Sequence, residues 1–340
     1  MIELRNDSLA FSFPEVHADA RLEVEFQRTL RIPDDGKNYP LPPGLGRFPL
    51  RHVDDFASRI PAEWVKHGGV MLPMYQAEAL WINFRSPTGY PFAVKVATGK
   101  INAVTGEPWR DGLNRGPQDY VAVPGQPWLD GYVVEKGFIR QFVAMPLGAG
   151  YTAEEQVTGK AEHGGLQVMA FPLKREAWER ILAERAKQLA EMAAMPRAPM
   201  MASAPAAAGM AMGLGAGGRM KQEIYTDHRP LEEWDLRVSS RCFVHIANSL
   251  VWRSITGTEP PTTPPTSEEY TRAGLPWFDY YAEGRTAVEG SGILAGLKSI
   301  FALGKEKGDV PLPENEPVEP VHVVGLHEKP AGATVREGAF

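Results

Sequence analysis

Cys242 is the only thiol in the 340 residues, and it lies three positions before His245 in Arg241-Cys-Phe-Val-His245. A nucleophile needs its base within hydrogen-bond reach, yet on a strand residues i and i+3 point to opposite faces. The segment is apolar and strand-like, so Cys242 reads as a buried, inert core residue. Gly290-Ser-Gly292 lacks the spacing of a nucleophile elbow and gives no support to a serine hydrolase. The eight histidines contain no H-E-x-x-H pair and no compact His/Cys cluster. His52, followed by Asp54 and Asp55, could ligate a hard or borderline ion, and His163 before two glycines is a further candidate ligand. The simpler reading makes the two acids a helix-start cluster, favoured by the N-terminal dipole, and His163 a turn residue. The acid pairs Glu154/Glu155 and Glu268/Glu269 resemble glycosidase carboxylates in type, but both sit in capping boxes, Thr152-Ala-Glu-Glu155 and Thr266-Ser-Glu-Glu269. Gly213-Leu-Gly-Ala-Gly-Gly218 lacks the lysine placement of a phosphate loop. No cofactor is expected.

Aromatic residues offer a different chemistry. Trp109, Trp128 and Trp277 stand in proline- and glycine-rich surroundings, the last in Leu275-Pro-Trp-Phe-Asp-Tyr-Tyr281 beside Tyr280. Such side chains could line a ligand groove or anchor a partner, because aromatics dominate interface energetics. Their plainer use is to pin extended loops onto a sheet, since segments without ladder bonds need side-chain anchors to stay ordered.

The elements that must position these groups are mostly strands. Hydrophobic residues make up 43% of the chain, and a chain of this length can bury about three quarters of its unfolded surface without disulfide or metal. Leu22, Val24 and Phe26 alternate with Glu23, Glu25 and Gln27, a half-buried strand. Further strands are expected at 79–84, 92–97, 120–123, 132–135, 138–145, 166–171, 222–225, 242–247 and 321–326, with Lys136-Gly137 as a tight hairpin turn. One long amphipathic helix is expected from Leu173 to about Met195, with Trp178, Ile181, Leu182, Leu189 and Met192 on one face. Shorter helices should start at the two capping boxes, and another should span Ile293 to Phe301 and stop at Gly304. The 34 glycines and 30 prolines point to many turns and long extended Pro-rich loops.

The fold expected is therefore α+β, mainly antiparallel β in a sandwich or barrel-like arrangement. A β-rich core with its long C-terminal helix spans 1–195. A flexible Ala/Met/Gly-rich linker or loop spans 196–219, its thioethers open to a partner, a lipid interface or Cu(I). A second half, 220–340, packs on the same core. The uncharged stretch Ala198–Gly218 is too weakly apolar and too proline-broken for a transmembrane span.

Arg28-Thr-Leu-Arg-Ile-Pro-Asp-Asp-Gly36, Tyr39-Pro-Leu-Pro-Pro-Gly-Leu-Gly46, Gly218-Arg-Met-Lys-Gln-Glu-Ile-Tyr225 and Ala273-Gly-Leu-Pro-Trp-Phe-Asp-Tyr-Tyr281 resemble a family of bacterial and fungal proteins for which no activity is known. The resemblance covers most of the chain outside the Ala/Met tract and implies no catalytic residue, ligand or partner. A net charge of −6 argues against a duplex-DNA or polybasic membrane reader. With one thiol and no secretory signal, the expected compartment is the cytoplasm. The expected function is a non-catalytic binding or assembly protein, with a protein partner or a homo-oligomer and Trp109, Trp128, Trp277 and Tyr280 as binding residues. The alternative is a hydrolase or metal-dependent enzyme with a dispersed site drawn from His52, Asp54, His163 and His245.

Overall fold

The computed structural model describes residues 1–192, 209–280, 285–309 and 315–326. Its main strands are β1 (Ile2–Arg5), β2 (Ser8–Ser12), β3 (Arg21–Thr29), β4 (Val70–Met74), β5 (Ala79–Arg85), β6 (Phe92–Thr98), β7 (Val121–Val123), β8 (Trp128–Leu129), β9 (Gly131–Glu135), β10 (Phe138–Pro146), β11 (Leu166–Pro172), β12 (Gly209–Lys221) and β13 (Ser240–Asn248). They belong to one sheet whose long members run β2-β3-β5-β10-β12-β13-β11-β6, each pair antiparallel. Parallel pairing occurs where β4 joins β13 and where Asn38-Tyr39 joins β12. A separate parallel pair is formed by β14 (Trp277–Tyr280) and β15 (Val323–Leu326). All eight long strands contribute to one apolar core, and Phe13, just beyond β2, brings its ring within 5.8 Å of Phe92 at the start of β6. The sheet is thus curled far enough for its two ends to meet.

β12 corrects the expectation of a linker at 196–219. Residues 196–208 lie outside the described residues, but Gly209–Lys221 is a strand at the centre of the sheet. Met212, Leu214 and Ala216 are buried in the core and alternate with Gly213, Gly215 and Gly217. The glycine positions are small because neighbours press on that face: a Cβ at Gly213 would lie 2.6 Å from Thr152 Cγ2, and one at Gly217 2.5 Å from Val143 Cγ2. The pattern has the period of two that a strand requires, with glycine in place of the polar residue.

Helix α3 (Arg175–Met192) follows α1 (Ala62–His67) and α2 (Ala153–Thr158) and starts at Arg175 rather than Leu173; the residues after Met192, where its expected end falls, lie outside the described residues. Among its described side chains the buried ones lie in the first turns, where Trp178 packs on Tyr90 at 4.9 Å and donates to Asp19 Oδ2 at 3.3 Å. Leu182 is exposed, and the side chains of Leu189 and Met192 lie outside the described residues. Both capping boxes form as read, at α2 and at α5 (Ser267–Arg272), which lies beyond α4 (Ser249–Thr256). The single helix expected over 293–301 is instead two, α6 (Gly292–Ala295) and α7 (Ile300–Lys307), because the Ser299 side chain caps a new start and Gly308 provides the left-handed stop.

The strand expected at 222–225 is absent, and glutamine side chains take over its hydrogen bonds. Gln126 Oε1 accepts from the Tyr225 amide at 3.0 Å, Gln118 Oε1 accepts from Asp227 at 2.8 Å, and Gln222 Oε1 accepts from Asp130 at 3.0 Å. Buried backbone groups must find partners, and a planar primary amide supplies donor and acceptor together as a strand would. Gln141, fully buried, does the same for the chain beyond β3, accepting from Ile32 and donating to the Leu30 carbonyl.

Candidate functional site

The expected binding residues do not gather as one set. Trp277 is fully buried against Tyr39 and Tyr270 and donates to Thr271 Oγ1 at 3.1 Å, so it anchors the Pro-rich segments and reaches no surface. Trp109 is half-buried over Lys95, whose ammonium lies 5.2 Å from its ring centroid, and donates to Asp111 Oδ1. Trp128 and Tyr280 do meet, with ring centroids 4.7 Å apart and planes inclined at 58°. Trp81 joins them, 6.3 Å from Trp128 and nearly perpendicular to it at 74°.

These rings come from three strands. β5 supplies Trp81, β8 supplies Trp128 through its pairing with Asn83 and Ile82 of β5, and β14 supplies Tyr280. Leu41 bridges to Phe278 and carries Pro42 and Pro43 into the same place. The result is a recess of about 190 Å³, lined by Leu41, Pro42, Pro43, Trp81, Trp128 and Asp130, with Phe278 and Leu326 at its margin. Trp81 and Trp128 are half-buried and line the recess, and Tyr280, also half-buried, packs on Trp128 beside it. The two indoles that line the recess stand nearly perpendicular and form a corner rather than a closed stack.

Asp130 gives the recess its polarity. It is 5% exposed, and its carboxylate accepts from the side chains of Gln222 and Trp128. Burial pushes this carboxyl up to about 7, against the two hydrogen bonds, which pull it down. No ion pair of Asp130 occurs among the described residues. Other buried acids are matched: Glu78 by Arg28 at 2.5 Å, Asp119 by Lys95 at 2.7 Å, Asp227 by Arg229 at 3.7 Å. Glu154 instead takes three backbone amides, from Glu162, His163 and Gly164, and so closes the loop after α2.

The residues of the enzymatic alternative are placed apart. His52 is exposed in the short strand Arg51–His52, and Asp54 opens an exposed 3-10 turn. His163 sits edge-on to His67, 6.2 Å between centroids, and His67 lies 6.1 Å from His245. The Phe243 ring stacks against both His67 and His245, at 4.7 and 4.4 Å. Burial pushes His245 down to about 3, the Gly68 carbonyl opposing this, and burial lowers His67 too. Among the described residues no group of three or more His, Cys, Asp or Glu side chains is arranged to hold a metal ion. Cys242 turns to the opposite face of β13 from His245, into the core, where burial pushes its thiol up to about 12. Among the described residues no helix is long and apolar enough to cross a membrane.

Two larger clefts carry several charged side chains in their walls. One, about 660 Å³ beside α3, interleaves Arg180, Arg185, Arg229 and Arg285 with Glu233 and Asp227, and two of these arginines are already paired to those acids. The other, about 290 Å³, surrounds Lys95 and Trp109. No protein-family model, curated protein or solved structure matches the chain.

Sequence reasoning missed Trp81 and Asp130. Trp81 lies in the strand Ala-Leu-Trp-Ile-Asn-Phe-Arg85 at a position alternating with buried Leu80, Ile82 and Phe84, which marks it as facing away from the core. Nothing local marks Asp130, whose partner Gln222 is far along the chain.

Proposed function

We propose that this is a non-catalytic binding protein and that the recess lined by Trp81 and Trp128 holds its ligand. The observation that carries this reading is the convergence of two half-buried indoles from two strands, Trp81 and Trp128, on one mostly apolar recess that the buried Asp130 also lines. Rigid aromatics on strands lose little conformational entropy when a ligand arrives and offer large contact area. The recess is smaller than the ~300–1,000 Å³ of sites for drug-sized molecules, so it takes one group of a ligand rather than a whole cofactor.

The test is a fragment screen read by the indole N–H signals of the eight tryptophans, with Trp81→Phe and Trp128→Phe used to assign two of them. Fragments that bind should shift the Trp81 and Trp128 signals before the other six. Hits that gather instead at the arginine-lined cleft, or that bind equally well to Trp128→Ala, would overturn the reading.

A further inference from the structure

We propose that the group held in the recess is an alkylammonium ion, its methyl or methylene surface against Trp81 and Trp128 and its charge facing Asp130. This rests on the recess being the binding site. Three observations support it. The recess is walled by apolar and aromatic side chains, and ring faces attract cations through their quadrupole, most strongly when water is excluded. At its floor stands a buried carboxyl whose described partners, Gln222 and Trp128, are both neutral, while the buried acids Glu78, Asp119 and Asp227 have a lysine or arginine. An unpaired buried carboxylate is costly, and a ligand cation would supply the missing counter-charge. The volume, about 190 Å³, suits a small substituted ammonium group.

An anion would meet the carboxylate and the negative ring faces. A neutral apolar group would fill the corner but leave Asp130 as it is. A bare ammonium ion would lose its strong hydration to a mostly apolar wall. An alkylated ammonium combines weak hydration, apolar surface and charge, which is the combination the lining matches.

The experiment uses choline and its neutral carbon analogue, 3,3-dimethylbutan-1-ol, titrated into the full chain with the Trp81 and Trp128 indole signals as readout and calorimetry for affinity. Choline should shift both signals and bind at least tenfold more tightly than the analogue. Asp130→Asn should weaken choline at least tenfold and leave the analogue unchanged, and Trp128→Leu should weaken both. If the two compounds bind wild type equally, or Asp130→Asn leaves choline unaffected, the cation inference falls while the recess remains a binding site. If neither compound reaches the recess but other fragments do, the cation inference alone is overturned. If nothing binds there, both readings fall. The comparison of the two compounds on wild type decides the matter even if Asp130→Asn does not fold.

Discussion

Lys95 under Trp109 and Asp130 beside Trp128 are two buried ionisable groups set against an indole, and they differ in where the counter-charge comes from. Under Trp109, the Lys95 ammonium donates to the carbonyls of Arg110 and Gly112, at 2.8 and 2.7 Å, and pairs with Asp119 at 2.7 Å. Its three protons are all used, and the contacts tie the 105–119 loop to β6. Beside Trp128, the Asp130 carboxyl meets only neutral donors. The lysine site is complete within the chain and so reads as a fastener. The aspartate site has a demand that another molecule can meet. Burial of a charge does not by itself mark a binding site; what separates these two is whether the described chain supplies the opposite charge.

The largest effect should come from breaking the fastener. Lys95→Met strands Asp119 and frees two carbonyls, and should cost about 3–5 kcal/mol in denaturant unfolding. Adding Asp119→Leu should recover part of that loss, as expected for coupled neighbours. A single-mutant cost under about 1 kcal/mol would erase the contrast between the two places.

Next in size is the pH response of Asp130. Its folded value is raised from 3.8 to about 7, so the stability it contributes is fully present below pH 4 and is lost as pH rises through 7. Stability curves of wild type and Asp130→Asn should therefore diverge by about 2–4 kcal/mol between pH 4 and 8, the asparagine variant gaining relative to wild type. Parallel curves would mean that Asp130 is not held in this state.

His245 sharpens the comparison from the other side, because its folded value is lowered from 6.5 to about 3. Its contribution is present above pH 6.5 and lost as pH falls toward 3, and at pH 5 the loss should be about 2 kcal/mol. His245→Phe, which keeps a ring against Trp64 and Phe243, should flatten the acid limb measured from pH 7 to 5. The smallest effect is kinetic: with its thiol pushed up to about 12, Cys242 should react with a thiol reagent at least 100-fold more slowly in native than in unfolded protein.

Much of the sheet could be read from the sequence because periodicity is local. The strands around Val24, Val94, Phe142 and Val168 alternate or run apolar over five or more residues, and each is found where expected. The caps at Thr152 and Thr266 were legible for the same reason, four residues being enough to specify them. β12 was hidden because its outward positions are glycine, which removes the polar half of the alternation, and only the packing of Thr152 and Val143 explains the choice. Excising 199–217 would accordingly remove most of a central strand rather than shorten a loop. Of the recess, Trp128 was visible by residue type, as was Tyr280 packed beside it. The meeting of Trp81, Trp128 and Asp130 was not, because it depends on β8 pairing with β5 and on Gln222 crossing to Asp130, contacts of long sequence separation.

The position of β12 and β13 also bears on how the chain is made. The long strands completed before residue 200 form two groups, β2-β3-β5-β10 and β11-β6, and these do not pair with each other. The strands that join them, 209–221 and 240–248, leave the ribosome only after both groups. Until they arrive, β10 and β11 each present a bare edge of backbone donors and acceptors, the kind of template that captures other strands. A nascent or truncated chain ending before 209 is thus a species prone to intermolecular pairing, and its safe passage depends on translation finishing before another exposed edge is met.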